Sequence, residues 1–324
     1  MPGLLTARLF DSGINVTVLV IALFSSYALY AFAAAIARVF GFGYTFVYLA
    51  FAGVSAILIA ITIRRHSVSA ERGPTSFSSI FVVGLAVILS TTYFHLPTLD
   101  DQGLLDLNIL ESRQNRSFAP SAGDVRPFGI EVPQPRMLAN LYHAFFGLAS
   151  EIVDVEPRFL TFVIANPFIG LFLFLAPTSF LWEMSRRRID PIFCLVGVVA
   201  PVAFVFQAGN VYWYYFRLLN APTVDKDFAL FVLLPIMGLC GWRYLVDRSH
   251  TNRRWLTLIA CSAPAAILSH PVTPIYLLLV WGALGLAVIR QDRFRRLTVL
   301  AMLGLFLNIL SGIVINSAAT HRFH

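Results

Sequence analysis

Charged residues are scarce in this chain of 324 residues. Only 13% of the residues are Asp, Glu, Lys or Arg, whereas a soluble domain carries about a quarter. Lysine is nearly missing, since Lys226 is the single lysine and every other basic residue except histidine is arginine. So little charge excludes an ordinary soluble globular domain.

Cysteine is also rare, and internal repeats and low-complexity segments are absent. The three cysteines, Cys194, Cys240 and Cys261, all fall inside apolar segments. No disulfide framework is expected, and the thiols are expected to be buried as small hydrophobic groups.

Long apolar runs are what the chain has. Hydrophobic residues make up 58% of it, and runs of about 20 residues recur, which is the length needed to cross roughly 30 Å of hydrocarbon. The sequence predicts an all-α, polytopic transmembrane helix bundle, a single integral membrane domain over residues 1–324. Nine spans are predicted, at residues 14–37, 44–63, 77–95, 159–182, 191–208, 228–246, 255–270, 272–289 and 297–316. The seventh is short. The alternative for the seventh and eighth segments is a re-entrant hairpin in place of two spans.

The arginines give the bundle an orientation. Fourteen of them occupy four alternate loops: Arg64, Arg65, Arg72, Arg186, Arg187, Arg188, Arg243, Arg248, Arg253, Arg254, Arg290, Arg293, Arg295 and Arg296. The positive-inside rule predicts that these loops and the amino terminus are cytoplasmic. The only long loop, residues 96–158, then faces outward from a cell membrane. The net charge of +7 therefore indicates orientation and not nucleic-acid binding.

The outer loop contains the clearest periodic segment, residues 136–152 (RMLANLYHAFFGLASEI). At 100° per residue its apolar side chains, Phe145 and Phe146 among them, fill one half of the helical wheel, and Arg136 and His143 lie on the other half. Such a helix is typical of a membrane interface, with the phenylalanines toward lipid or the span ends. The alternative is a helix packed on neighbouring spans.

The loop begins with two adjacent carboxylates, Asp100 and Asp101, in the stretch TTYFHLPTLDD at the end of the third span. A carboxylate at a membrane surface can accept a proton from a hydroxyl group, and two can also hold a divalent cation. The alternative is a solvated helix end, which the residues alone favour.

Three cationic or titratable residues lie at the same side. Lys226, between Asp225 and Asp227, shares a short outer loop with Arg217. Cations in an outer loop are unexpected, because the positive-inside rule concentrates them in the cytoplasmic loops. Both could bind phosphate, and a local ion pair between Lys226 and its flanking aspartates is the alternative. His270 can donate to a phosphate or mark a turn in water. The spacing of the histidines does not indicate zinc.

The order of these features resembles the GT-C type of glycosyltransferases, and more narrowly a group of bacterial GT-C-like membrane proteins. The resemblance covers about residues 80–290. It rests on LPTLDDQGLLDLNIL, the proline-rich loop 117–135, LYHAFFGLAS and RLLNAPTVDKDFALFVLLP, which stand in that order.

The resemblance implies a location in the bacterial inner membrane and a sugar donor carried on polyprenyl phosphate. It implies that Asp100 or Asp101 is the catalytic base and that Lys226 with Arg217 meets the carrier phosphate. An acceptor hydroxyl would displace the phosphate with inversion, on the extracytoplasmic face. The partners expected are membrane lipids and the lipid-linked sugar. The leaving phosphate needs charge stabilisation from cationic side chains or, alternatively, from a divalent cation, and no cofactor is predicted beyond that alternative.

The chain departs from that group at two points. Asp225 stands where the group has glycine before the lysine, and the chain stops soon after the ninth span, which indicates a minimal or truncated form. The competing interpretation is a non-enzymatic transporter component or a scaffold for envelope polysaccharide assembly. Transporters carry ionisable residues inside their spans, where this chain has almost none.

The predicted topology can be tested by labelling. A cysteine introduced at Ser121 should react with a membrane-impermeant thiol reagent added to intact cells, because the loop 96–158 is predicted to be outside. If that cysteine were protected in intact cells and labelled only after lysis, the orientation would be the opposite of the predicted one.

Overall fold

The computed structural model describes residues 15–66, 77–93, 109–110, 112–118, 141–207, 228–247, 252–270, 273–288 and 291–320, together with Gly3 and Thr6. Within them the chain is almost entirely helical and has no strand, so the predicted all-α class is confirmed. The helices are α1 Val16–Phe40, α2 Tyr44–His66, α3 Phe77–Tyr93, α4 Tyr142–Val153, α5 Pro157–Met184, α6 Pro191–Gln207, α7 Ala229–Val246, α8 Asn252–Cys261, α9 Ala263–Ser269, α10 Thr273–Ala287 and α11 Gln291–Thr320.

The described helices overlap each of the predicted apolar segments, but the nine spans themselves stay a prediction. In the described part of the chain, five of them are long and apolar enough to cross a membrane: Val16–Phe40, Tyr44–Ile61, Pro157–Met184, Ala229–Val246 and Phe294–Val314. Shorter apolar helices cover Ser78–Thr91, Pro191–Pro201 and Thr273–Ala287. These are the helices of a membrane protein.

The five long helices differ in how much of their surface the protein covers. In their most apolar stretches, 56% of the residues of α1, 65% of those of α5 and 67% of those of α7 are buried. The figures are 11% for α2 and 22% for α11. The core therefore forms around α1, α5 and α7, while α2 and α11 turn apolar surface outward.

Local sequence explains where α1 begins and ends. The side chain of Asn15 accepts a hydrogen bond of 3.0 Å from the backbone N–H of Val18, which satisfies a donor that the first turn leaves open. At the other end Gly41 adopts a left-handed conformation with φ 72°, and its N–H bonds to the carbonyl of Ala37. Glycine adopts this conformation without steric cost, so the helix stops there.

Two stretches of π-helix, Leu160–Ala165 in α5 and Ala229–Leu233 in α7, are explained by proline. Each stretch ends two residues before a proline, Pro167 and Pro235 respectively. A proline ring inside a regular α-helix clashes with the carbonyl four residues earlier and supplies no N–H to it. The wider π turn relieves that clash, so both helices continue through the proline.

The short seventh segment of the prediction is two helices, α8 and α9, separated at Ser262. Pro264 follows the break, and α9 ends beside α1, where the Tyr27 and Ser269 hydroxyls lie 2.6 Å apart. Tyr27 is near the middle of α1, so α9 ends about halfway along that helix.

Helix α4 occupies part of the segment predicted to lie in the membrane interface. Residues 136–140 are outside the described residues, and the helix begins at Tyr142. Phe146 is 2% exposed, and the ring of Phe145 lies 5.8 Å from that of Tyr27 and 5.0 Å from that of Tyr30. Phe145 thus packs on α1 and Phe146 is buried, as the packed alternative expects, while the orientation of α4 relative to a membrane stays a prediction.

A close helix contact joins α7 to α10. The indole Nε1 of Trp281 donates to the carbonyl of Met237 at 3.1 Å, and a Cβ placed on Gly241 would lie 2.4 Å from that nitrogen. Trp281 is 1% exposed and has no room to withdraw. Only glycine permits this approach.

We expect Gly241→Ala to lower the free energy of unfolding by about 1–3 kcal/mol, since overpacking forces the Trp281 ring to move. The matched control is Gly282→Ala, also inside a helix, where an added Cβ meets nothing within 4 Å. It should be neutral or stabilising by up to about 1 kcal/mol, because alanine favours the helix. Thermal unfolding in detergent measures both, and equal shifts would contradict the packing argument.

Candidate functional site

Most residues of the predicted site lie outside the described residues. These are Asp100, Asp101, Arg136, Arg217 and Lys226. Their convergence on one cavity therefore stays a prediction. Two members of the site, His143 and His270, are described.

Both histidines are buried, at 7% exposed for His143 and 5% for His270. His143 belongs to α4, and His270 follows α9, where its carbonyl accepts a hydrogen bond of 3.0 Å from the N–H of Thr273. The N–H of Leu141 donates to the carbonyl of Leu268 at 2.8 Å, so each histidine lies two residues beyond one partner of that bond. The structure brings the two histidine-bearing segments together. His270 is not the water-facing turn residue of the alternative prediction.

An aromatic cluster surrounds this junction, and we define it as Tyr27, Tyr30, Tyr142, Phe145 and Phe228. The Phe228 ring lies 4.9 Å from that of Tyr27 and 4.8 Å from that of Tyr142. The hydroxyl of Tyr30 donates to the carbonyl of Leu141 at 2.8 Å. The aromatic cluster therefore holds α1, α4 and the beginning of α7 together, with ring contacts that add to the burial of apolar area.

Residues 112–118 continue the same region toward the beginning of α2. The hydroxyls of Tyr44 and Ser112 are 2.5 Å apart, and the N–H of Tyr44 bonds to the carbonyl of Arg116 at 3.1 Å. Arg116 pairs with Glu151 of α4 at 2.7 Å. We call this side of the bundle, formed by residues 112–118 and 141–153 with Tyr44, Phe228 and His270, the loop end.

The opposite side contains a charged cluster that the sequence reading missed. Glu183, at the end of α5, has a side chain only 1% exposed, and it pairs with Arg243 at 2.6 Å and with Arg187 at 2.8 Å. The hydroxyl of Thr17 donates to the same carboxylate at 3.1 Å and accepts from Ser179 at 3.0 Å. We call this group the Glu183 cluster.

The Glu183 cluster joins the beginning of α1 to the ends of α5 and α7. The indole N–H of Trp242 adds a bond of 2.9 Å to the backbone carbonyl of Glu183. Because a buried carboxylate is costly unless it is fully paired, this arrangement fixes the three helix ends relative to one another. Its partners satisfy the carboxylate and leave no acceptor directed at a substrate, so the cluster is structural.

One signal in the sequence could have found it. Glu183 is the only acidic residue between Glu156 and Asp190, and it stands four residues before Arg187, which is the helical spacing of an ion pair. The contact with Arg243, however, connects segments far apart in the chain, and no local pattern predicts it.

Within the described residues no group of three or more His, Cys, Asp or Glu side chains could hold a metal ion. The comparisons with known proteins found no matching family model, no matching curated protein and no matching solved structure.

We expect Glu183→Gln to cost about 2 kcal/mol or more of the free energy of unfolding, because two guanidinium groups lose their buried counter-charge. Glu151→Gln makes the same chemical change in a pair whose arginine side chain is 61% exposed. That control should cost less than about 1 kcal/mol, as surface pairs do. Denaturation of both variants in detergent gives the comparison, and equal costs would show that the Glu183 cluster does not hold the bundle.

Proposed function

We propose that the chain is a nine-span protein of the bacterial inner membrane, with a cytoplasmic amino terminus and residues 96–158 outside. The Glu183 cluster supports the orientation, because it brings together two of the arginine-rich loops. Arg187 follows α5 and Arg243 ends α7, and both contact one carboxylate. Loops that share a cluster share a side of the membrane, which is the cytoplasmic side under the positive-inside rule.

The function we propose is that of a GT-C-like glycosyltransferase that moves a sugar from a polyprenyl-phosphate carrier to an extracytoplasmic acceptor. One observation carries the proposal. The described helix of the long loop, α4, contacts α1, Phe228 and the end of α9 at the loop end, where His143 and His270 are buried. A recessed polar junction beside α4 offers a place where a lipid-linked sugar could react away from bulk water.

The sequence positions of the remaining candidates agree with a site at the loop end. The described part of α3 ends at Tyr93, seven residues before Asp100, and Lys226 precedes Phe228 of the aromatic cluster by two residues. His270 is at the loop end itself.

In the proposed reaction, the hydroxyl oxygen of the acceptor attacks the anomeric carbon of the donor sugar. Asp100 or Asp101 takes the hydroxyl proton, and the bond from the anomeric carbon to the phosphate oxygen breaks with inversion. The polyprenyl phosphate leaves with the bonding electron pair, and Lys226, Arg217 and His270 stabilise its negative charge. Arg136 and His143 belong to the loop helix that would border the reacting sugar.

The second candidate is a transporter component or an assembly scaffold. The break between α8 and α9 at Ser262 favours it, because transporters place their substrate sites at interrupted helices. Activity of the purified protein on a lipid-linked sugar separates the two candidates.

The catalytic variants are Asp100→Asn and Asp101→Asn. At the position of the base, turnover should fall about 10²-fold or more, the typical contribution of a positioned base, with folding and lipid binding kept. The measurement is release of polyprenyl phosphate from a panel of synthetic polyprenyl-phosphate monosaccharides. Asp154→Asn is the matched control, since its exposed carboxylate lies in the same loop and asparagine tolerates its φ of 50°.

Wild-type turnover in both aspartate variants would show that neither Asp100 nor Asp101 is the catalytic base. No release from any donor by the wild-type protein would favour the transporter or scaffold.

Lys226→Ala should mainly raise KM for the donor, because a lost phosphate contact weakens ground-state binding as well. A distance provides an independent check. If the nearest carboxylate oxygen of the aspartate pair and the Lys226 amine were more than about 15 Å apart without a shared cavity, one phosphosugar could not contact both. Spin labels at Asp101→Cys and Lys226→Cys would measure the separation.

A further inference from the structure

A cavity of about 550 Å³ opens between α1, α2 and α8. This volume falls in the range of roughly 300–1,000 Å³ that small-molecule sites occupy. Its lining includes Ser25 and Phe32 of α1, Val54 of α2, and Arg253 and Arg254 of α8. None of them belongs to the catalytic site proposed above.

The lining is mainly apolar and comes in part from α2, the helix that the protein covers least. Phe32 on α1 is 50% exposed, so the cavity opens on the side of the bundle and not at a water-filled centre. Two of the three helices around this apolar cavity, α1 and α2, are long enough to cross a membrane, so the cavity is reached from the lipid phase. Its occupant should therefore contain a hydrocarbon chain.

Two arginines supply the charge of the cavity. Arg253 and Arg254 are exposed and lie in the first turn of α8, where the helix dipole disfavours cations. Both arginines also border the apolar cavity. Their position favours a bound anion, because an anion would offset the helix dipole and pair with both guanidinium groups.

Ser25 provides an independent sign of an occupant. It is 8% exposed and lines the cavity, and its hydroxyl makes no hydrogen bond to any residue that the structure describes. A buried hydroxyl without a partner costs free energy, and an oxygen of a bound molecule could accept its proton.

We propose that this cavity binds an anionic glycerophospholipid. One acyl chain lies along Ala28, Leu29 and Val54, and the phosphate lies between Arg253 and Arg254. The hydroxyl of Ser25 donates to an oxygen of the lipid. Basic side chains between transmembrane helices are the usual recognition elements for such headgroups. The proposal does not depend on the glycosyltransferase function.

The test is native mass spectrometry of the purified full chain in mixed micelles with phosphatidylglycerol or phosphatidylcholine. We expect one phosphatidylglycerol to be retained per chain in preference to phosphatidylcholine. Arg253→Gln with Arg254→Gln should weaken that retention about 30-fold, since each basic side chain near an anionic lipid contributes roughly fivefold. Arg186→Gln with Arg188→Gln, two exposed arginines outside the cavity, is the control and should bind as the wild type does.

A second pair of variants tests the acyl chain without changing charge. Val54→Trp fills the cavity from α2 and should abolish retention of the phospholipid. Ile57→Trp adds the same ring to the same helix at a residue that is 61% exposed and outside the cavity lining, and it should have no effect.

Three results would overturn the proposal. Equal retention of the two phospholipids would show that the arginines do not recognise the headgroup. Full competition by glycerol phosphate alone would show that the acyl chain does not contribute to binding. Tighter retention of polyprenyl phosphate than of phosphatidylglycerol would assign the cavity to the carrier and not to a glycerophospholipid.

Discussion

The bundle depends on one buried carboxylate. Burial of the Glu183 carboxylate would be costly without the contacts that Arg187, Arg243 and Thr17 make with it, and these residues belong to the end of α5, the end of α7 and the beginning of α1. The same end of α7 is held from a second side by Arg296 of α11, whose guanidinium donates to the carbonyl of Tyr244 at 3.1 Å. Charge pairing thus sets the positions of the central helices at one side, and apolar packing need only align the rest.

The loop end is built on different interactions. The aromatic cluster joins α1, α4 and α7 through ring contacts, and hydrogen bonds such as that between Leu141 and Leu268 add to them, together with the partly exposed ion pair of Arg116 and Glu151. Such contacts are weaker and more adjustable than a doubly paired carboxylate. A rigid side at the Glu183 cluster and a more adaptable side at the loop end suit a protein whose proposed chemistry takes place beneath the loop.

The sequence predicted the helices well, because runs of about 20 apolar residues have one structural solution in a membrane. It did less well wherever a contact is long-range. The hydrophobic periodicity of residues 136–152 identified an apolar face but not the helix that packs on it, and Phe145 packs on α1 where lipid or the span ends were expected. Cys261 was expected to be buried and is exposed, because a cavity lies beside it. Glu183 escaped notice since its partner Arg243 is 60 residues away. The carboxylate pair at residues 100–101 lies outside the described residues and remains predicted from sequence alone.

Helix α9 ends about halfway along α1, and this position has a consequence for biogenesis. A turn at that depth, with His270 beside it, needs protein around it and not hydrocarbon, and α4 supplies part of that cover. Yet Leu141 precedes its partner Leu268 by 127 residues, which a ribosome needs on the order of ten seconds to synthesise. That hydrogen bond therefore cannot form until α9 has been inserted, whereas the contacts of α4 with α1 can form earlier. The polar junction is consequently completed only when the chain is almost fully made.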